Sequence, residues 1–495
     1  MKVHPIVFYV SASVILAFVF VGAAFSEPTA EVFGVIQDFI IGKLGWFYIL
    51  SVSFFLGFVI WLFFSRFGSM KLGKEDDEPD FNRFTWFAML FSAGMGIGLL
   101  FYSVAEPILH FSAPPNADAG TLAGAREAMK FTFFHWGMHA WAIYIVVGMA
   151  LAFYCFRHDL PLTIRSTLYP LLGKRVNGWI GNTVEIIAVF GTLFGIATSL
   201  GLGIMQINRG LEYLGLVDFS TQNQILLIAG VTAAATISVV SGLNKGIRRL
   251  SEINLVLGLI LVLFVFIAGP TAFLLMTLPQ NIGAYLSSVV ELSFNTDAYQ
   301  GQDWQKGWTM FYWGWWMSWS PFVGMFIARV SRGRTIREFI GGVLLVPTLL
   351  TFIWMVVFGN TAIWMELFGN GGIVSAVNES VDTALFVMLD QLPFAAITST
   401  LAVIVITTYF ITSSDSGSLV IDILTSGGDL NPPKGQRVFW ALTEGAVAAV
   451  LLLAGGLGAL QTAAITTALP FCVVMLFICW ALVRGLRRDY KDKGI

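Results

Sequence analysis

Long apolar stretches separated by short polar segments follow one another along the whole chain. Twelve of them approach the length of about 20 residues that a helix needs to cross a bilayer. They cover residues 6–25, 47–64, 84–104, 131–156, 185–206, 224–240, 253–276, 308–327, 339–364, 394–424, 438–454 and 469–482. A cleaved signal peptide is the alternative for the first, but its apolar run exceeds the 7–15 residues expected of one. The pattern predicts an all-α polytopic membrane protein with 12 transmembrane helices.

Composition and charge support this prediction. Of the 495 residues, 57% are hydrophobic and 12% are charged, whereas about 25% are charged in soluble domains. If both termini are cytoplasmic, only five of the 28 Lys and Arg residues face outward: Lys43, Arg126, Lys130, Arg209 and Lys306. By the positive-inside rule this indicates a multi-pass protein of the cell (inner) membrane with cytoplasmic termini. The net charge of −2 gives no reason to expect a nucleic-acid partner.

The order of the predicted spans indicates an internal repeat. Without the first two, ten spans remain, and they form two sets of five that enter the membrane in opposite directions, as in an inverted repeat. We therefore divide the chain into two N-terminal helices (1–83), a first repeat (84–278), an outer connecting segment (279–307), a second repeat (308–483) and a short basic cytoplasmic tail (484–495).

Backbone-breaking residues lie in the first span of each repeat. The third span carries Gly94-Met95-Gly96-Ile97-Gly98, and the eighth carries Ser320 and Pro321. Transporters of this architecture place interrupted helices at matching positions of the two halves, near the middle of the membrane. The alternative is that the glycines only allow close helix packing. The pairing of the two motifs favours interrupted helices.

Two of the predicted spans carry an aromatic face. On the fourth, Trp136, Trp141 and Tyr144 lie within an arc of roughly 140°, and six aromatic residues of the eighth lie within roughly 120°: Trp308, Tyr312, Trp315, Trp316, Trp319 and Phe322. An interfacial belt of Trp and Tyr explains Trp308 and Tyr312. It does not explain Trp319, which lies roughly 16 Å of helix rise beyond Trp308.

Aromatic rings at this depth are suited to a quaternary ammonium group. Such a nitrogen has no N–H to donate and binds to ring faces, with about 2 kcal/mol or more when the site is desolvated. Neither aromatic face contains Asp or Glu, so we expect a substrate that brings its own negative charge. An unwound glycine segment supplies free N–H groups and the positive end of a helix dipole to a carboxylate. The pattern therefore predicts a site for a zwitterion such as glycine betaine.

At these residues the sequence resembles the betaine/carnitine/choline transporter (BCCT) family. The matching motifs are the glycine segment 93–98, the Trp136-x4-Trp141-x2-Tyr144 pattern, and the aromatic run 311–322 with its continuation 327–337. The resemblance implies a leucine-transporter-type core of five plus five helices after two extra helices, and a homotrimer. It implies a substrate site at Trp136, Trp141, Tyr144, Trp315, Trp316 and Trp319 beside Gly94, Met95, Gly96 and Gly98. Choline carriers of the family tend to have Asp at the position of Gly98, and betaine carriers have Gly.

The resemblance also implies sodium sites. Sodium-coupled members hold one ion between the third and tenth spans, and the matching positions are Ser92, Met95, Tyr409, Thr412 and Ser413. The alternative is that hydroxyls of this Ser/Thr-rich patch bond to their own helix. Thr192 and Phe322 match a second sodium site of close relatives. The remaining position there is Ile196, which has no oxygen to donate, so the second site is less expected.

Four titratable residues in or near the predicted spans remain. We expect His135 and His139 to pack or hydrogen-bond rather than to bind a metal, because no Glu accompanies them as in a metalloprotease motif. We expect Asp415 to support the ion-binding end of the tenth span. Glu106, next to Pro107, is expected to act as a capping or gating residue.

The resulting hypothesis is a secondary active transporter that imports glycine betaine or a similar compatible solute by sodium symport with alternating access. Sodium is the expected coupling ion, no cofactor is expected, and the partners are the solute, sodium and the lipid bilayer. A proton-coupled carrier of choline or a related trimethylammonium compound is the alternative. A channel would be expected to show a filter-like pore loop, and an enzyme a group of acids, bases or metal ligands at one depth; the sequence indicates neither.

Overall fold

A computed structural model of the chain describes residues 3–94, 96–241, 247–299 and 303–492, and this part of the chain is built from helices. The first half contains α1 Pro5–Ala24, α2 Ser26–Phe64, α3 Arg83–Gly94, α4 Ile97–Ser112, α5 Leu122–Trp136, α6 Met138–Ala152, α7 Tyr169–Leu172, α8 Trp179–Tyr213, α9 Thr221–Ser241 and α10 Ile247–Ala268. The second half contains α11 Thr271–Phe294, α12 Asp303–Gly307, α13 Thr309–Arg329, α14 Ile336–Met355, α15 Thr361–Phe368, α16 Ile373–Glu379, α17 Ala384–Asp390, α18 Ala395–Thr425 and α19 Lys434–Asp492.

Nine helical segments of the described part are long and apolar enough to cross a membrane. They are Pro5–Ala24, Ser26–Phe64, Leu122–Arg157, Trp179–Tyr213, Leu250–Ala268, Thr271–Phe294, Ile336–Phe368, Ala395–Thr425 and Lys434–Lys491. The last contains a kink at Gly455 and Gly456, where the backbone leaves the helical conformation, and this kink lies between the predicted spans eleven and twelve. The helical, multi-pass character is confirmed, whereas the count of twelve and the repeat stay predictions.

The segment after α10 differs from the prediction. Helix α10 ends at Ala268 rather than at residue 276, and α11 begins at Thr271. Pro270, which precedes α11, has no N–H with which to continue α10. The predicted boundary between residues 278 and 279 therefore lies inside α11, whose Pro279 does not interrupt the helix. The apolar run 253–276 hid this break because it continues across Gly269 and Pro270.

The interruption predicted in the third span is confirmed. Helix α3 ends at Gly94, α4 begins at Ile97, and Gly96 between them is extended, with φ −148° and ψ −179°. Met95 lies outside the described residues. Gly96 makes no side-chain cap at the start of α4, and its carbonyl accepts from the Leu99 N–H at 3.2 Å. The N–H groups of Ile97 and Gly98 precede the first intrahelical bonds of α4.

The interruption predicted in the eighth span is wrong. Helix α13 is continuous through Ser320 and Pro321. A proline inside a helix leaves the carbonyl four residues earlier without its N–H partner. Here that carbonyl belongs to Met317, and the Ser320 hydroxyl donates to it at 2.7 Å. Because Ser320 replaces the missing donor, the helix passes the proline intact.

A break that the sequence did not reveal divides the fourth span. Helix α5 ends at Trp136, α6 begins at Met138, and Gly137 between them has φ −95° and ψ −142°. A Cβ atom at Gly137 would lie 2.4 Å from the Phe133 carbonyl oxygen, so the turn requires glycine. Trp136 therefore projects from a different helix than Trp141 and Tyr144.

The loops that the charge pattern assigns to the cytoplasm meet at one end of the molecule. Arg332 contacts Asp77 at 3.0 Å, and Arg157 bonds both Glu75 at 2.7 Å and Asp489 at 2.6 Å. The hydrogen bond from Arg332 lowers the pKa of Asp77 below its ordinary value, which keeps this surface pair ionised at neutral pH. The predicted orientation places these loops on the same side of the membrane, and their contacts agree with that.

Candidate functional site

Aromatic residues of α5, α6 and α13 surround one cavity in the centre of the helix bundle. Helix α13 packs against α6 and α8, and α4 packs against α5 and α8. The cavity is lined by Gly96, Gly98, Leu99, Trp136, Ala140, Trp141, Tyr144, Trp315, Trp316, Trp319 and Thr351. All six aromatic residues of the predicted site are among them. We call these six rings, Trp136, Trp141, Tyr144, Trp315, Trp316 and Trp319, the aromatic cage.

The rings of the aromatic cage contact one another at different angles. Trp315 and Trp316 stack with centroids 4.6 Å apart, and Trp136 meets Trp316 edge-on at 5.0 Å. Tyr144 meets Trp141 at 5.5 Å and Trp319 at 6.4 Å, both edge-on. Each of the six side chains is at most 7% exposed. The ring faces are therefore removed from water, which is the condition under which cation–π attraction is strongest.

The cage is contracted in this structure. Its cavity measures about 20 Å³, which is room for roughly one water molecule. A trimethylammonium compound of several heavy atoms enters only if the rings move apart. The structure thus shows the cage closed, with α4, α5, α6 and α13 as the elements that have to separate.

Three polar groups of the cage have no hydrogen-bond partner within the described part of the chain. They are the Trp315 and Trp319 indole N–H groups and the Tyr144 hydroxyl, and all three are buried. An unpaired buried donor costs about 1–3 kcal/mol. Such a concentration of free donors around one cavity is suited to an anionic acceptor that arrives with a ligand.

The start of α4 adds further donors to the same cavity. Gly96 and Gly98 line it, and the N–H groups of Ile97 and Gly98 precede the first intrahelical bonds of α4, whereas that of Leu99 donates to the Gly96 carbonyl. The positive end of the helix dipole lies at the same place. A Cβ atom at Gly98 would lie only 2.2 Å from Cη2 of Trp315, so glycine is required for this close approach. Gly94 ends α3, and Met95 is not described.

Trp319 separates the cage from a second, larger cavity. That cavity measures about 820 Å³ and is bounded by Phe81 and Met89 on the α3 side and by Phe326 at the end of α13. Trp319 lines both cavities. Phe81 and Phe84 of its lining adjoin the loop that carries Asp77, so the larger cavity extends toward the end of the molecule with the basic loops, the predicted cytoplasmic side. We call it the inner vestibule.

The described positions of the predicted first sodium site line the inner vestibule and not the cage. Tyr409, Thr412 and Ser413 of α18 face residues of α3 across it. The Thr412 hydroxyl donates to the carbonyls of Thr408 and Tyr409, each at 3.1 Å, and accepts from the Asn254 amide of α10 at 2.9 Å, so its bonds are not confined to its own helix. The Tyr409 hydroxyl is buried and has no hydrogen-bond partner among the described residues. Met95 and the side chain of Ser92 lie outside the described residues.

The predicted second sodium positions are divided between two regions. Thr192 of α8 is fully buried, and its hydroxyl has no partner among the described residues. Phe322 lines the inner vestibule. Ile196 packs toward α18, where its Cδ1 fills the space beside Gly417. A second sodium site at Thr192 and Phe322 stays a prediction.

A buried carboxylate lies directly behind the cage. Glu106 of α4 is fully buried. Its Oε2 accepts from the Trp136 indole at 2.6 Å and from the Tyr312 hydroxyl at 2.5 Å. Its Oε1 contacts His135 Nδ1 at 2.6 Å and His110 Nε2 at 3.1 Å. Glu106 thus lies inside α4 rather than at its end, so the capping half of the prediction is wrong, whereas a gating role stays a prediction.

The same contacts correct the interpretation of Tyr312. This residue is fully buried and bonded to Glu106, so it is not interfacial. Trp308 is half-buried and packs on His110, with ring centroids 4.4 Å apart. Neither lines the cage cavity.

The sequence offered one signal for Glu106, because a carboxylate in an apolar run is a functional candidate by default. Thr351, which also lines the cavity, carried no such signal.

The histidines act as hydrogen-bonding groups, as predicted. His135 bonds Glu106 and the Thr309 hydroxyl, and His139 bonds the Ser293 hydroxyl at 2.8 Å. Glu106, His110 and His135 present ligand-type atoms close together. Their contacts of 2.6 and 3.1 Å are hydrogen-bond lengths, whereas ligands of a tetrahedral zinc ion lie about 3.3 Å apart. The geometry therefore supports hydrogen bonding.

Asp415 accepts from the Ser238 hydroxyl at 2.5 Å.

Comparison with known proteins identifies the family of the chain. The family described as "BCCT, betaine/carnitine/choline family transporter" matches residues 6–491. The chain belongs to the BCCT family. It is a multi-pass membrane transporter and not an enzyme.

Three relatives illustrate the range of this BCCT family. A glycine betaine transporter of Acinetobacter baylyi is 49% identical over 455 residues, which are 92% of this chain and 69% of that protein. A glycine betaine transporter of Bacillus subtilis is 45% identical over 489 residues, 98% of this chain and 95% of that protein. The high-affinity choline transport protein of Escherichia coli is 42% identical over 498 residues, 100% of this chain and 74% of that protein.

Proposed function

We propose that this BCCT transporter imports glycine betaine or a similar zwitterionic quaternary ammonium solute by sodium symport. The observation that carries the proposal is the single cavity at which the aromatic cage meets unpaired hydrogen-bond donors. The rings accept the methylated nitrogen. The Trp315 and Trp319 indoles, the Tyr144 hydroxyl and the N–H groups at the start of α4 donate to the carboxylate. One zwitterion satisfies both sets of groups.

The two cavities supply the elements of alternating access. With the cage closed and the inner vestibule open on the predicted cytoplasmic side, the structure resembles a state after inward release. Separation of α4 and α5 from α13 on the opposite side would admit the next substrate. We include in this proposal the features predicted from the sequence. The protein then has twelve spans with a five-plus-five inverted repeat, forms a homotrimer in the inner membrane, and has both termini in the cytoplasm.

The proposal is tested by uptake of labelled glycine betaine into proteoliposomes under an imposed inward sodium gradient. We expect accumulation that increases with an inside-negative potential, because each charge moved inward gains about 2.3 kcal/mol per 100 mV. Empty liposomes and a potassium-for-sodium exchange serve as controls. If uptake does not exceed the sodium-free control, sodium coupling is wrong.

A mutation at the predicted sodium site separates coupling from substrate binding. Thr412→Val removes an oxygen at nearly constant volume, so we expect the sodium concentration for half-maximal uptake to increase by at least about tenfold. Thr400→Val is the matched control, because Thr400 lies on the same helix, is exposed and bonds only to the Ala396 carbonyl. An unchanged sodium dependence in the Thr412 variant would remove this residue from the site.

A proton-coupled carrier of choline is the second candidate. It is favoured by the choline transporter among the relatives and by the Glu106 carboxylate behind the cage, which the sequence analysis did not place there. Competition of unlabelled choline, glycine betaine and proline betaine against labelled uptake decides between the candidates. Preference for choline, with accumulation driven by a pH gradient alone, would replace the first proposal by the second.

A further inference from the structure

Glu106 is a buried carboxylate to which the leading proposal gives no role. It is fully buried, and it does not line the cage cavity, whereas Trp136 does. The indole of Trp136 therefore stands between this carboxylate and the cavity. Its ring borders the cavity, while its Nε1 lies 2.6 Å from Glu106 Oε2.

The contacts of Glu106 favour its negatively charged form. Four groups surround its two oxygens: the Trp136 indole, the Tyr312 hydroxyl and the imidazoles of His110 and His135. An indole N–H can only donate. Hydrogen bonds donated to a carboxylate stabilise the ionised group. The ion-pair partners of Glu106 in the described part of the chain are His110 and His135, and each neutralises the carboxylate only when its imidazole is protonated. With neutral imidazoles the negative charge of Glu106 acts on the cage.

We propose that Glu106 is the buried countercharge for the substrate's ammonium group and acts on it through the indole of Trp136. A hydrogen bond to a carboxylate polarises the indole and increases the electron density of the ring face that attracts a cation. Beyond this, the charge of Glu106 attracts the ammonium directly in a site from which water is excluded. Glu106 is a positioning residue, since it does not touch the substrate.

This role rests on the proposed function, and it predicts a specific pattern of ligand preference. Glycine betaine and 3,3-dimethylbutanoate have the same shape and the same carboxylate, but the second carries carbon in place of the ammonium nitrogen. A negative charge behind Trp136 favours the first and disfavours the second. Removal of that charge must therefore lower the affinity for glycine betaine without lowering that for 3,3-dimethylbutanoate, which a purely structural defect does not do.

The test is calorimetric titration of the purified full-length protein in detergent with each of the two compounds. In Glu106→Gln we expect the affinity for glycine betaine to fall by about tenfold, and that for 3,3-dimethylbutanoate to stay equal or increase. Glu444→Gln is the matched control: Glu444 is also fully buried, but its partners are Ser414 and Ser418 of α18. It should leave the ratio of the two affinities unchanged.

A second pair of variants keeps the test independent of whether Glu106→Gln folds. Trp136→Phe retains a ring but removes the N–H that contacts Glu106, whereas Trp141→Phe makes the same exchange at a cage position away from that carboxylate. We expect the first to reduce the preference for glycine betaine more than the second. Equal losses for both compounds in Glu106→Gln, or equal effects of the two Trp variants, would overturn the inference. If the unmutated protein binds no glycine betaine, the proposed function itself fails.

Discussion

Trp319→Ala is expected to abolish saturable uptake of glycine betaine. Trp319 is the residue that lines both the aromatic cage and the inner vestibule. Its removal connects a cavity of about 20 Å³ with one of about 820 Å³, so the substrate is no longer enclosed. The variant also loses one cation–π contact of about 2 kcal/mol, or roughly 30-fold in affinity. Both effects reduce transport.

The measurement is initial uptake rate against substrate concentration in proteoliposomes. Trp480→Ala is the control for loss of a large ring, because Trp480 is 60% exposed on α19. We expect it to retain the KM of the unmutated protein. Both variants should elute as monodisperse species, which separates a site effect from misfolding. A Trp319→Ala variant with unchanged KM would remove this ring from the proposed site.

Gly98→Ala is expected to reduce kcat/KM by at least about tenfold. Its added Cβ would lie 2.2 Å from Cη2 of Trp315, and Trp315 is held by its stacking on Trp316. Overpacking of this kind costs about 1–3 kcal/mol, so either Trp315 shifts or the start of α4 withdraws. Each change displaces donors that the carboxylate requires.

The control for this prediction is Gly230→Ala. Gly230 lies in α9, is exposed, and has no atom within 4 Å of an added Cβ. Alanine there should leave uptake unchanged and slightly favour the helix. Gly98→Asp adds a negative charge to the same steric conflict, so we expect choline to gain relative to glycine betaine. Unchanged kinetics in Gly98→Ala would show that the close approach of α4 and Trp315 is not needed for transport.

The helix break at Gly137 and the continuous helix at Pro321 show where local sequence was insufficient. Both glycine and proline interrupt helices, and the sequence assigned the break to Pro321. The outcome depended on neighbours: Ser320 supplies the donor that Pro321 lacks, and Phe133 and Tyr285 leave no space for a side chain at Gly137. The effect of such neighbours can be recognised only from their positions in the folded structure.

The sequence alone determined the helical membrane class, the six rings of the aromatic cage and the interruption between α3 and α4. The class and the interruption follow from hydropathy and glycine spacing, which act within one helix. The aromatic faces follow from the same helical spacing, and the resemblance to the BCCT family selected the six rings from them. The tertiary structure decided that Glu106 supports Trp136, that Trp319 separates two cavities, and that Trp315 and Trp319 keep free donors. Each depends on contacts between helices distant in sequence. For that reason the sequence of the two aromatic faces, which contain no Asp or Glu, did not predict that the Glu106 carboxylate lies behind the cage.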